Sequence, residues 1–522
     1  MTDLPPGWVT AKIGDLLYGI TAGKNLKCEE RPPQSHERGV IKVSAVTWGT
    51  FDASQSKTLP SSFVPAPDTV IRTGDFLFSR ANTLELVGAV VIVKDDHPNL
   101  FLSDKVLRLD FPTELKPWLL VYLRSVEGRR RLSAVSSGNQ MSMRNIGQNS
   151  LQSVSVPLPP LNEQRRIVER IEAMFDQIDR GVDSLRKARA TLGLYRQSLL
   201  KSAFDGRLTA DWRARNADKL EPPAALLSRI RNERDTRYKT ALDTWQAALT
   251  EWRAAGEKGR KPAKPKRPDD IRGEFSLSPD IEATIPASWL WLPMSDLGLT
   301  TGGLTKNQKR NALPMKAKYL RVANVYANRL ALDEIMEIGV TAEELDKTKL
   351  ETGDLLFVEG NGSIDQIGRV AVWDSRIADM THQNHLIRFR TDGVLTSRYA
   401  LYFMMSPMGR KLITAQASST SGLHTLSISK VEGLPVPLCS ASEQAEIVSI
   451  LDARLEAADT LEAEIDAALT RAEAMRQSIL KQAFSGRLVP QDPTDEPATA
   501  LLERIRTERA NVSAAPRRRA RA

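Results

Sequence analysis

Between residues 162 and 204 apolar side chains recur with a step of seven. Ile171, Ile178, Leu185, Leu192 and Leu199 form one seam, and Ile167, Met174, Ala188 and Tyr195 form a second. Residues 442–484 repeat the pattern, with Leu451, Ala458, Ile465, Ala472 and Ile479 on the first seam and Ile447, Leu461, Ala468 and Met475 on the second. Charged residues fill the positions between. A seven-residue step sustained this long predicts coiled-coil helices. Asn162 and Ser442 stand where N-caps belong, Glu163 and Glu443 suit the positive end of the helix dipole, and Gly206 and Gly486 stand where helices end. A helix of ~40 residues is ~60 Å long. A narrow seam of that length needs a partner, and its twin in the same chain is the nearest. Pairing about a two-fold axis makes the helices antiparallel and puts the regions that precede them at opposite ends.

The two helices belong to a longer duplication. QSLLKSAFDGRLT (197–209) and QSILKQAFSGRLV (477–489) agree at nine of thirteen positions. PPGWVTAKIGDL (5–16) answers PASWLWLPMSDL (286–297), TGDFLFSR (73–80) answers TGDLLFVE (352–359), and SVSVPLPPLNEQ (153–164) answers GLPVPLCSASEQ (433–444). PPAALLSRIRNER (222–234) answers PATALLERIRTER (497–509). A repeat of this kind organises the whole chain. Five parts follow: 1–157, a first variable domain; 158–235, a first spacer with long helix and short Arg-rich helix; 236–280, an extra helix and basic Pro-rich linker; 281–437, a second variable domain; 438–522, a second spacer with a basic tail.

The regions before each long helix carry short apolar runs such as VIKVSAV (40–46), DFLFS (75–79) and AVVIVK (89–94), which read as strands. The fold expected is mixed α/β: two pseudo-symmetric, β-rich domains joined by two long antiparallel coiled-coil helices. Similarity between the halves is dense in the helices and patchy in the domains, which suits one scaffold with two specificities.

Net charge is +9 and the sequence pI about 9.4, which favours a polyanionic partner such as nucleic acid. The loops agree. Lys24, Asn25, Lys27, Arg80, Asn82, Asn139, Gln140 and Arg144 in the first half, and Lys306, Asn307, Asn361, Ser363 and His424 in the second, are side chains able to hold phosphates or read base edges. Cys28 and Cys439 form neither a disulfide framework nor a metal cluster, and a reducing cytoplasm is the simplest setting. No GxxxxGK[ST] phosphate loop occurs, nor an Asn-Pro-Pro-Tyr or Asp-Pro-Pro-Tyr stretch of adenine methyltransferases. His382 and His385 stand alone, without Cys or carboxylate partners at ligand spacing, and read as core or solvated residues.

The Pro-x-x-Trp start, the Thr-Gly-Asp-Phe/Leu-Leu-Phe strand, the Pro-Leu-Pro-Pro-Leu-x-Glu-Gln helix start and the Gln-Ser-x-Leu-Lys-x-Ala-Phe-x-Gly-Arg-Leu helix end, all duplicated, resemble the specificity (S) subunit of Type I restriction–modification systems. The second helix start departs from the pattern, with Cys439 where Pro159 stands in the first. The resemblance implies a DNA-binding subunit without catalysis. Each variable domain would be a target recognition domain reading one half of a split, asymmetric site in double-stranded DNA. The helices would set the spacing. Two adenine methyltransferase (M) subunits and restriction/motor (R) subunits would be its partners. S-adenosylmethionine, ATP and Mg²⁺ would belong to those partners, with no cofactor in this chain. The competing reading from the residues alone is a coiled-coil scaffold with two protein-binding heads.

Outside the symmetry, Tyr238, Leu242, Trp245, Leu249 and Trp252 form a stripe on a helix that follows the Arg-rich helix or continues it, expected to pack on the protein's own body. GEKGRKPAKPKRPDD (256–270) follows as a solvated tether.

Overall fold

A computed structural model describes residues 4–140, 143–259, 261–265, 267, 285–420 and 423–514, without the side chains of 139–140, 418–420, 423 and 512–514. The chain divides into two units, 1–186 with 465–522, and 187–464. The division falls inside both long helices, Leu161–Phe204 and Ala441–Phe484, so each unit contains half of each.

The first unit is built on a four-stranded antiparallel sheet in the order Gly19–Ala22, Val106–Asp110, Phe76–Ser79, Val90–Ile92. A second sheet follows the order Ser56–Thr58, Gly39–Ile41, His97–Phe101, Val70–Ile71. Phe76, Phe78, Leu107 and Leu109 enter one core with Trp118, Tyr122, Ile167 and Ile171, so sheet and long helix share a single apolar interior. The second unit repeats the plan: Gly298–Gly302, Leu386–Thr391, Leu355–Val358, Val370–Val372. Its core joins Leu355, Phe357 and Phe389 to Leu199, Phe204, Ile447 and Leu451. The mixed α/β, β-rich fold expected from the duplication is therefore present twice.

Within each unit the helix halves run antiparallel. Arg196 pairs with Asp459 and Glu462, and Arg189, one heptad earlier, with Glu462. In the other unit Asp179 pairs with Arg476, while Ile167 and Ile171 share a core with Ile479 and Ala483. Arg196–Asp459 and Arg476–Asp179 are the same contact in its two copies. These pairs are partly exposed and stabilise by at most about 1 kcal/mol each, so they fix register rather than stability.

The first seam turns inward throughout: Ile171, Leu199, Leu451, Ala458 and Ile479 are buried, and Ile178, Leu185, Leu192, Ile465 and Ala472 half-buried. The second seam does not. Ile447 and Ile167 are buried, but Tyr195, Leu461 and Met475 are 41%, 52% and 54% exposed and Ala188 is exposed. A pair of helices needs only one stripe to cover each other, not two.

Two local expectations need correction. VIKVSAV is a strand only over Gly39–Ile41, and Val43–Val46 is a 3-10 helix. Asn162 and Ser442 lie inside the first turn of their helices; in the second helix the cap is Ser440, whose Oγ accepts from Glu443 N. Of the two arrangements open for the striped helix the continuous one holds: it runs on from the Arg-rich segment 222–234 as one 32-residue helix, Pro223–Ala254. The tether meets two residues of the stripe: Trp245 donates to Pro262 O, Trp252 to Gly259 O, and the Lys264 ammonium lies over the Trp245 ring. Residues 260, 266 and 268–270 of that tether, and the tail 517–522, lie outside the described residues.

Candidate DNA-reading surface

The duplicated motifs turn out to be clasps. Trp8 Nε1 donates to Glu163 Oε2 at 3.0 Å, and Trp289 Nε1 to Glu443 Oε2 at 2.9 Å. Gln164 and Gln444 each donate to a carbonyl of the segment leading into the helix, Pro159 O and Cys439 O. Burial pushes the Glu163 carboxyl up, although the Trp8 indole and Arg166 oppose it. Thus the start of each repeat is bonded to the start of the following helix.

The helix ends close on the sheets in the same way. Phe204 meets Tyr399 and Phe403 edge-on, and Phe484 meets Trp118 and Tyr122. Gly206 has φ +76° and Gly486 φ +67°; a Cβ there would stand 2.3 Å from Pro286 Cγ or Pro5 Cγ. The end of each helix therefore seats on the start of the other repeat.

With the scaffold held, a small three-stranded sheet stands beside the main one in each unit. In the first, Ala81–Asn82 pairs with Met143–Asn145, which pairs with Ser137–Gln140. Asn82 stands directly across from Arg144, so their side chains share a face. The second unit pairs Gly360–Asn361 with Leu423–Thr425 and Ser418–Thr420, and Asn361 stands across from His424. Five of the candidate residues, Arg80, Asn82, Arg144, Asn361 and His424, thus meet on or beside two equivalent sheets. Asn139 and Gln140 lie on the outer strand of the first sheet, with side chains outside the described residues.

Their bonding differs. Arg80 Nε donates to Asn145 Oδ1 at 3.3 Å. Arg144 also braces the hairpin, donating to Ser136 O and Gly138 O at 2.6 Å and to Ser136 Oγ. Neither guanidinium meets a carboxylate among the described residues, so the face stays positive. Asn82 Oδ1 accepts from Thr83 N, and its amide donates to Thr47 Oγ1. Asn361 Oδ1 accepts from Ser363 N, which holds the exposed Ser363 at the tip. His424 Nδ1 is buried without a partner. Behind each sheet an arginine draws the preceding loop in: Arg129 donates to Glu85 O, and Arg410 to Asp365 O and Ile367 O.

Lys24 and Asn25 line a cavity of about 380 Å³ with Lys42, Lys57, Lys105, Glu30 and Asp104. Lys57 holds the Glu30 carboxyl below its usual range. Lys105 O accepts from Arg80 N, which links this basic wall to the small sheet. Lys27 is exposed and does not line the cavity. In the second unit Lys306 is exposed, and Asn307 caps a 3-10 turn through Arg310 N. Among the described residues no group of three His, Cys, Asp or Glu is placed to hold a metal, and no helix is long and apolar enough to cross a membrane.

The sequence reading passed over the turns after the 3-10 helices Val43–Val46 and Val322–Asn324. IKVSAVTWG (41–49) and LRVANVYAN (320–328) align there, with Trp48 and Tyr326 one position apart and Gly49 and Asn328 both at positive φ. That local alignment was the available signal.

Comparisons agree with the duplicated architecture. The family model described as Type I restriction modification DNA specificity domain matches residues 5–182 and again 289–471. The chain is 25% identical to the Type I restriction enzyme EcoKI specificity subunit of Escherichia coli K12, over 97% of this chain and 96% of that one. It is 25% identical to the StySPI specificity subunit of Salmonella potsdam, with the same coverage. A chain from a structure concerned with complex assembly and conformational transition of the type I R-M system is similar in fold, with TM-score 0.60 at 18% identity over 94% of this chain and 100% of that one. With both repeats matched and two curated relatives aligned end to end, the chain belongs to the family of Type I restriction–modification DNA specificity subunits.

Proposed function

We propose that this chain is the non-catalytic reader of a Type I complex, in which each variable domain recognises one half of a bipartite, asymmetric site in double-stranded DNA. The observation that carries the reading is the pair of equivalent small sheets on one repeated frame. One presents Asn82, Arg144 and Arg80; the other presents Asn361, Ser363 and His424. Arg pairs with guanine edges and phosphates, and Asn with adenine. A frame that repeats while its displayed chemistry changes suits a site whose halves differ.

The paired helices set the number of base pairs between the halves. A 44-residue helix is ~66 Å long, and half-sites read from one face of B-DNA recur every ~34–36 Å. Two adenine methyltransferase subunits dock on this chain and bring S-adenosylmethionine; restriction/motor subunits bring ATP and Mg²⁺.

The test is co-expression with the neighbouring methyltransferase, followed by sequencing of modified adenines. A split motif is expected. Inserting one helical turn near residue 186 of the first helix and near 465 of the second should lengthen the gap while leaving both half-sites unchanged. An unchanged gap would remove the spacer role. An active, assembled methyltransferase that leaves no split motif would favour the scaffold reading instead.

A further inference from the structure

We propose that the turn following the 3-10 helix Val43–Val46 in the first unit, and that following Val322–Asn324 together with Arg369 in the second, form a second DNA-contact element: a stacking surface at Trp48 in the first unit, and a two-arginine phosphate clamp at Arg329–Tyr326–Arg369 in the second. The proposal rests on the DNA-reading function and assigns it residues outside the small sheets.

Trp48 is 74% exposed, the most exposed of the large apolar side chains described. It is not on a loose loop. Gly49, at φ +85°, turns the chain immediately after it, and the Arg124 guanidinium donates to Gly49 O while also holding Val90 O of the main sheet. On the other side Thr47 Oγ1 accepts from Asn82. The indole is therefore anchored to the main sheet and to the small sheet at once. Leaving so large an apolar surface in water forgoes the stability that its burial would add. A rigid turn that holds it there suits a surface that is covered by something else.

In the second unit the turn is bonded back through Asn328 N to Val370 O of the corresponding sheet strand. Here the ring belongs to Tyr326, and it carries two guanidiniums: Arg329 at 4.6 Å and Arg369 at 5.3 Å from the ring centroid. Neither arginine has a carboxylate partner among the described residues. Arg369 makes only long bonds, 3.5 Å to Gln366 Oε1 and 3.4 Å to Val322 O, and its Nε is buried without a partner. Two like charges are held on one ring with no acid among the described residues to neutralise them. The π face offsets part of their repulsion, and a phosphate offers each the forked acceptor it lacks. An acidic peptide could satisfy the same charges, but Trp48 at the equivalent turn has no use for one. Duplex DNA supplies both, phosphates along its backbone and a base face where a step is unstacked by an inserted ring.

The experiment uses the full chain assembled with its methyltransferase subunits and a duplex carrying the motif the wild-type complex methylates. Binding is followed by fluorescence anisotropy from about 50 to 200 mM salt. Arg329→Ala with Arg369→Ala should weaken binding and lower the slope of log K against log salt by about 2, since each phosphate contact contributes about 0.9. Arg329→Lys with Arg369→Lys should restore most of the slope. Trp48→Ala should weaken binding about tenfold and leave the slope unchanged, as loss of one stacking contact does. Wild-type affinity and slope in these variants would overturn the proposal. So would loss of methyltransferase assembly on size-exclusion chromatography with DNA affinity otherwise intact, which makes the turn a protein-docking face. If the wild-type complex leaves no motif and binds no duplex, the DNA-reading function itself fails.

Discussion

His382 is a residue whose environment dictates its charge. It lies on the short strand Thr381–His382, with Nδ1 3.2 Å from Thr348 O and Nε2 buried without a partner. Burial, reinforced by the Arg388 guanidinium, pushes its pKa down from 6.5 to about 4, against weaker upward pulls from carbonyls and Asp354. The folded state therefore favours the neutral ring. That preference contributes fully above pH 6.5 and is lost as pH falls from 6.5 through 4, where folding must expel a proton that the unfolded chain keeps. A shift of this size corresponds to about 3 kcal/mol. Thermal unfolding of the wild type at pH 7.5 and 4.5 should show a larger acid loss than the same pair of scans on His382→Gln. Equal losses would mean that other groups carry the acid sensitivity. The absence of metal-ligand spacing left His382 as a core or a solvated residue, and only its burial decides for the core. Arg144 was not legible as a hairpin brace, because its three carbonyl and hydroxyl partners lie within the hairpin it was expected to read from. Trp48 was overlooked for a related reason: a lone exposed aromatic belongs to no period.

At the scale of elements, the long helices were the most legible part of the chain, since a seven-residue step has one physical meaning when it persists. Their second seam was over-read, because Tyr195, Leu461 and Met475 continue a pattern that a two-helix pair does not need. The apolar run VIKVSAV was misread where a strand passes into a 3-10 helix, since a short run of small apolar residues fits both. The helix ends allow a sharper prediction. Gly206 and Gly486 combine positive φ with a proline 2.3 Å from where a Cβ would stand. Gly206→Ala and Gly486→Ala should each cost more than the ~1 kcal/mol that left-handed backbone alone costs an alanine, because the proline contact must also open. Limited proteolysis should then cut near 206–209 in one variant and near 486–489 in the other. Gly181 and Gly193, in open space within the first helix, are the contrast: alanine there should stabilise by a few tenths to 1 kcal/mol. If the four variants unfold alike by heat, the helix ends are not clasps.

The whole molecule joins two units that each close their own core, sheet and clasp. Trp8–Glu163, Phe484–Trp118 and Gly486–Pro5 lie wholly in one unit, and Trp289–Glu443, Phe204–Tyr399 and Gly206–Pro286 wholly in the other. The displayed residues also stay within their units, with Arg80, Asn82 and Arg144 in the first and Asn361, Ser363 and His424 in the second. Sites with no shared partners contribute nearly independently. Recognition should then be separable by half. Replacing residues 5–156 with the corresponding region of a relative, while keeping Glu163, Gln164, Phe484 and Gly486 to receive it, should change one half of the methylated motif. The other half and the gap should be retained. The reciprocal exchange of 286–436 should change only the other half. The critical outcome is a hybrid that assembles, methylates and alters both halves together. That result would show the two surfaces to be coupled through the helices, and the spacer would then be part of the reading rather than its ruler.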